Sequence, residues 1–188
     1  MDINARIAAR VAHLRRERNL SLDALAELSG VSRSMISLVE RGQSNATATV
    51  LEKLAAGLGV PLAGLFEDPA PAASPLVRRA DQPEWRDPQS GYLRRNLSPP
   101  PSLTPIRMVE VEFPAGAQVS YDSVERDVRV HQQVWVLEGR IEITVGDTVH
   151  ALAAGDCLAF DLERPNGFRN PGRSAARYVV VVVTERTP

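Results

Sequence analysis

Between Ile3 and Phe66 the apolar residues recur with a helical period. Ile7, Val11 and Leu14 fall at three- and four-residue steps with arginines opposite them, which predicts an amphipathic helix. Asn19-Leu20 interrupts the pattern, and Ser21 stands where a cap is needed for a short helix through Leu22, Leu25, Ala26 and Leu28. Gly30-Val31-Ser32 makes a tight turn, because glycine tolerates positive φ, and Ser32 caps a third helix that turns Ile36 and Val39 inward. Thr49-Val50-Leu51-Glu52 has the form of a capping box for a fourth helix carrying Leu51, Leu54 and Leu58 and ending at Gly57 to Gly59. Pro61 opens a fifth helix, Leu62 to Phe66. Residues 1–67 are therefore expected to form a five-helix domain.

The pattern then changes. Asp68-Pro-Ala-Pro-Ala-Ala-Ser-Pro75 has no periodicity, and its prolines favour an extended spacer. Residues 68–103 are expected to form a proline-rich linker and connecting segment, with a second break at Pro99-Pro-Pro101. Within it, Tyr92-Leu-Arg94-Arg95 fits either an edge strand or a domain-contact segment. From residue 104 to 188 the texture is β. Ile106 to Phe113, Val134 to Leu137, Ile141 to Val145, Val149 to Leu152, Leu158 to Phe160 and Tyr178 to Thr184 are apolar runs separated by Gly-containing turns. Short strands at roughly ten-residue spacing suit a sandwich or barrel rather than a parallel sheet with crossover helices. Trp135 and Cys157 fall in apolar strands and are expected to be buried.

Composition narrows the class. Of the 188 residues, 44% are hydrophobic and 24% charged, enough for a core and a soluble surface. The longest apolar run near either end is Tyr178 to Val183, short of the ~20 residues a membrane helix needs. Arginines 6, 10, 15 and 16 break every apolar stretch near the start, unlike a secretory signal, and a cytoplasmic protein without membrane attachment is expected. A single cysteine excludes an internal disulfide framework and Cys-based zinc fingers. Residues 1–67 carry eight basic against seven acidic side chains, and the remainder fourteen against sixteen. That balance is too weak for a nonspecific polycation, so any nucleic-acid binding has to come from local arrangement.

The helical half has such an arrangement. Leu25-Ala26, Gly30-Val31, Ile36 and Val39 fit a helix-turn-helix, with Ala26 small enough for a close crossing, although an ordinary helical hairpin fits the periodicity equally. The longer string resolves this: Leu14-Arg15, Leu20-Ser21-Leu22, Gly30-Val31-Ser32-Arg33-Ser34, Ile36-Ser37, Glu40-Arg41-Gly42, and Leu58-Gly59-Val60-Pro61-Leu62 through Phe66. It resembles the lambda-repressor-like, XRE-family DNA-binding domain. The resemblance implies that the second helix of the motif enters the major groove, placing Ser32, Arg33, Ser34, Ser37 and Leu38 on the DNA. Arg33 suits bidentate readout of guanine, and Leu38, where the family often has a polar residue, suits a thymine methyl. Arg41, Ser44 and Asn45 are expected at phosphates. The resemblance pairs Arg15 with Glu40 inside the domain, away from DNA. With so few phosphate anchors, useful affinity for double-stranded operator DNA requires a homodimer on two half-sites.

Val136-Leu-Glu-Gly139, Gly155-Asp156, Pro165 and Phe168-Arg-Asn-Pro171 resemble the cupin family, which implies a jelly-roll barrel, or double-stranded β-helix. The fold expectation is thus α+β in two domains. Metal-binding cupins place histidines and a glutamate at positions that here hold Arg126, Val128, Gln132 and Asn166, so neither metal nor other cofactor is expected, and no catalytic residue is assigned. Ser21, Ser32 and Ser34 lack a neighbouring base or a nucleophile elbow. Arg126, Gln132 and Asn166 instead line a candidate pocket for a small polar or anionic effector. Two alternatives stand beside this reading: a barrel that only dimerises, and a metal-dependent cupin enzyme fused to a DNA-binding head.

Overall fold

A computed structural model describes residues 3–67, 74–99, 105–123 and 128–186. The first part contains α1 (Ile3–Glu17), α2 (Leu22–Ser29), α3 (Arg33–Glu40) and α4 (Ala48–Gly57). Hydroxyls start the last three: Ser21 accepts from Ala24 N, Ser32 from Met35 N and Thr47 from Val50 N, each satisfying an amide with no partner inside its helix. Asn19 turns the chain between α1 and α2 at φ 56°, and Gly30 closes α2 at φ 66°. Gly57 is required for a different reason. A Cβ there would stand 2.9 Å from that of Ser29, so its absence lets α4 approach the end of α2.

Two expectations in this part are corrected. The fifth helix, Leu62–Phe66, is a 3₁₀ helix, so the head has four α-helices. Pro61 ends the preceding turn, and Gly64 N bonds Pro61 O three residues back, a tighter closure suited to a five-residue element. The cap of α4 is Thr47, not the Thr49-to-Glu52 box. Thr49 lies inside the first turn, and Glu52 is turned into the molecule, buried at 7% exposure.

The remaining chain forms ten strands among the described residues: β1 (Glu84–Arg86), β2 (Leu93–Asn96), β3 (Ile106–Phe113), β4 (Gln118–Tyr121), β5 (Val128–Glu138), β6 (Arg140–Val145), β7 (Thr148–Ala153), β8 (Cys157–Asp161), β9 (Asn166–Arg169) and β10 (Ala176–Arg186). All pairings are antiparallel, in a six-stranded sheet ordered β1-β2-β3-β10-β5-β8 and a four-stranded sheet ordered β4-β9-β6-β7. Residues 84–96, read from sequence as part of the connecting segment, therefore supply two strands of the larger sheet. Residues 68–73 of the proline-rich stretch lie outside the described residues.

Strand alternation decides which side chains enter the core. On β5, Val130, Val134 and Val136 are buried, which sends the intervening Trp135 outward at 50% exposure. Its register partner Cys157, on edge strand β8, is exposed as well. Both were expected to be buried. Their strands are apolar on two faces, so composition did not reveal which face is inner.

An aromatic chain links the two parts. Phe66 packs on Trp85 (5.6 Å between centroids), Trp85 on Tyr92 (5.9 Å), Tyr92 on Phe113 (5.6 Å), Phe113 on Tyr178 (6.2 Å) and Tyr178 on Phe168 (5.9 Å). The buried apolar residues of head and sheets form one continuous cluster.

The larger sheet also carries an ion network. Arg95 on β2 pairs with Glu84 on β1 and with Glu110 on β3 (2.7 Å), and Arg177 on β10 pairs with Glu110 (2.9 Å) and with Glu138 on β5. Burial pushes the Glu110 carboxyl up, but hydrogen bonds and charge from Arg177 and Arg95 outweigh it and hold the pKa below its ordinary value. A carboxyl depressed in the folded state contributes stability above its unfolded pKa, about 4.3, and loses it as pH falls through the folded value. Thermal melts at decreasing pH should therefore show a decline beginning near the ordinary glutamate range, and Glu110→Gln should have a shallower dependence in that window than the natural protein. Parallel curves would remove Glu110 from the account.

Candidate functional site

The first turn of α3 presents Ser32, Arg33 and Ser34 to solvent, while Ile36 and Val39 on the other side are buried. Ser37 and Leu38 are half-buried on the same helix. Just beyond it, Arg41 and Asn45 are exposed and Ser44 is half-buried, its hydroxyl 3.6 Å from the Met35 sulfur. The residues expected on DNA thus sit on one short helix and the loop that follows. The Ser32 hydroxyl is already engaged as the cap of α3, 3.3 Å from Met35 N. Arg33 meets Asp23 at 3.1 Å, with side chains 64% and 77% exposed. A pair this open is worth at most about 1 kcal/mol, so Arg33 can leave Asp23 for a stronger acceptor.

Arg15 is held quite differently. Its Nε and Nη2 donate to the two Glu40 oxygens at 2.6 and 2.8 Å, and Nη1 donates to Leu20 O at 2.8 Å. The hydrogen bonds Arg15 donates to Glu40, outweighing burial, raise its pKa above the ordinary value. Breaking such a largely buried pair costs about 3–5 kcal/mol, which keeps both residues inside the head as expected.

The head is seated on the sheets by α4 and the 3₁₀ helix. Asp87, following β1 and 1% exposed, accepts from Ala48 N at 2.8 Å through Oδ1. Its Oδ2 accepts from Ser90 N (2.7 Å) and Ser90 Oγ (2.6 Å). A side chain from one domain therefore satisfies an open amide at the start of a helix in the other, where the helix dipole also favours a negative charge. Around it, Thr49 Oγ1 donates to Ser120 O (3.3 Å), Lys53 meets Asp122 (2.9 Å), and Glu67 pairs with Arg107 and, at 3.6 Å, with Arg10.

Between these parts lies a cavity of about 60 Å³. The head contributes Glu52, Pro61, Leu62 and Ala63; the sheets contribute Tyr92, Arg94, Tyr121, Gln132, Asn166 and Tyr178 among apolar neighbours such as Val111, Leu162 and Phe168. Gln132 and Asn166, expected from sequence, both line it; Arg126 lies outside the described residues. Glu52, Arg94 and the three tyrosines were not anticipated. The only advance signal was the alternation Tyr92-Leu-Arg94, which placed those two on one strand face without saying what that face meets. Burial pushes the phenols of Tyr92 and Tyr178 up, against the pull of the Arg94 charge, and burial also pushes Tyr121 well up, aided by Tyr92. All three hydroxyls therefore stay protonated at neutral pH and can donate. Tyr92 and Tyr121 hydroxyls are 3.4 Å apart. Among the described residues no group of three His, Cys, Asp or Glu is arranged to hold a metal ion, and the lining itself is a set of amides, phenols, one carboxylate and one guanidinium.

This pairing of an exposed second helix with a two-sheet β domain has relatives. The helix-turn-helix family matches residues 11–65 and the cupin domain family residues 109–182. The chain belongs to the XRE-type helix-turn-helix family of DNA-binding transcriptional regulators and carries a C-terminal cupin domain. It is 28% identical over 172 residues to the HTH-type transcriptional regulator SutR of Escherichia coli strain K12, covering 92% of this chain and 91% of that protein. It is 25% identical over 184 residues to the regulator PuuR of the same organism, covering 95% and 93%. The crystal structure of an HTH_3 family transcriptional regulator from Vibrio cholerae superposes with a TM-score of 0.77 at 26% identity, over 96% of each chain. No helix among the described residues is long and apolar enough to cross a membrane.

Asp87→Ala leaves the buried Ala48 amide without its acceptor and removes the acceptor of both half-buried Ser90 donors. Denaturant unfolding should show a loss of about 3 kcal/mol, and proteolysis between head and sheets should accelerate. Unchanged stability and cleavage would show that the head is seated by other contacts.

Proposed function

We propose that the protein is a cytoplasmic homodimer that binds operator DNA in a sequence-specific manner, and that its cupin domain senses a small polar metabolite without a metal and without catalysis. The observation that carries the first half is the orientation of α3. The head docks through α4 and the 3₁₀ helix, and with the β domain in place Ser32, Arg33, Ser34 and Arg41 remain exposed. In this reading Arg33 reads a guanine, Ser34, Ser37 and Leu38 touch neighbouring base edges, Ser32 lies at the groove edge, and Arg41, Ser44 and Asn45 hold phosphates.

Two half-sites require two heads. The outer face of the six-stranded sheet supports a dimer there: Ile106 (44% exposed), Met108 (40%) and Trp135 (50%) flank Val181 on adjacent strands. Solvent-exposed apolar rows of this kind mark association surfaces, and a two-fold axis would match one face with its copy. In the same reading residues 1–67 are the DNA-binding unit, 68–103 connect it, and 104–188 are the sensing and dimerising unit, its two sheets closing as the jelly-roll barrel of cupins.

Gln132 and Asn166 in the cavity wall support sensing, since both amides can donate and accept. The cavity size favours keeping a second reading, in which the β domain only dimerises: about 60 Å³ is well under the ~150 Å³ that admits benzene. An effector must therefore be small.

Two measurements test the reading. Arg33→Ala should keep its melting temperature yet lose operator discrimination in gel shifts, by about 1–3 kcal/mol at the affected base pair; retained discrimination overturns the docking of α3. Trp135→Arg should sediment as a monomer and bind a two-half-site operator far more weakly, whereas a dimer at natural affinity would place the interface elsewhere.

A further inference from the structure

Two arginines stand side by side on β2 and meet opposite fates. Arg95 faces outward and has two carboxylates, Glu84 and Glu110. Arg94 faces inward, is 7% exposed, lines the cavity, and its buried Nε has no hydrogen-bond partner among the described residues. Its guanidinium lies 5.2 Å over the Phe66 ring, a contact that attracts the cation but supplies no counter-charge. Glu52 is the one carboxylate among the described lining residues, and the Arg94 Nε is still left without a hydrogen-bond partner among them, which is costly for a guanidinium that has given up water. The protonated hydroxyls of Tyr92 and Tyr178, both within reach of the Arg94 charge, line the same space.

We propose that the effector is a small carboxylate, seated with its anionic group on Arg94 and completed by hydrogen bonds from the Tyr92 and Tyr178 hydroxyls and the Gln132 and Asn166 amides. The proposal rests on the sensing role of the cavity and names its ligand class. Size confines the acid to a short chain, since the space is about 60 Å³. Arg94 also links the ligand to the head: the same guanidinium stacks on Phe66 of the 3₁₀ helix, so an anion that draws it inward changes a contact by which the head is seated. Ligand and head position are thereby coupled through one side chain, and the coupling must run in both directions.

The test is calorimetry and thermal shift on the full chain with acetate, lactate and glycolate, each against its neutral amide (acetamide, lactamide, glycolamide). At least one acid should bind, its amide at least about tenfold more weakly, as expected when a charge-assisted contact is lost. Arg94→Gln should erase that preference and Arg94→Lys should retain part of it; if Arg94→Gln fails to fold, the acid–amide comparison in the natural protein decides alone. Amides binding as well as acids, with binding lost in Asn166→Leu, overturn the carboxylate seat while leaving the cavity as a sensor. Silence from acids and amides alike overturns the carboxylate seat and leaves the sensing of other small polar molecules untouched.

Discussion

The carboxylate of Asp87 is the contact around which the two halves of the molecule are arranged. A buried carboxylate is tolerated only when its oxygens are filled, and here one takes the first amide of α4 while the other takes two donors from Ser90. The start of a head helix and the turn between two sheet strands therefore depend on each other. Because α4 is fixed at that point, Glu52 one turn further on faces the sheets, and the 3₁₀ helix after α4 brings Phe66 onto Trp85 and Arg94. The cavity exists because this seat exists.

Charge placement separates structural from functional side chains more clearly than residue type does. Arg15 and Glu40 are locked together at two hydrogen bonds in a largely buried site, whereas Arg33 and Asp23 touch in open solvent. The first pair is too expensive to break for a DNA contact, and the second is too weak to resist one. The same comparison applies across β2, where Arg95 belongs to an ion network spanning five strands and Arg94 is turned toward the aromatic interior.

The four α-helices, the caps at Ser21 and Ser32, the turn at Gly30 and most of the strands were legible in the residues, because each depends on neighbours three or four positions away or on simple alternation. The eight residues expected on DNA could be placed on one helix and its following loop for the same reason. The cavity was legible only in part. Gln132 and Asn166 were found by position within a motif, but Arg94, Glu52 and the tyrosines come from elements far apart in the chain. Trp135 and Cys157 were misplaced because an apolar strand does not state which of its faces looks inward.

Local order was thus written in the chain: period, capping hydroxyls and glycine turns. Only the folded molecule decided that residues 84–96 would enter the larger sheet, that Thr47 rather than Thr49 would cap α4, and that one arginine of an adjacent pair would be buried with its Nε lacking a hydrogen-bond partner among the described residues. These outcomes depend on which distant surfaces meet. That choice is set by the summed packing and desolvation of the whole chain, and no local pattern encodes it.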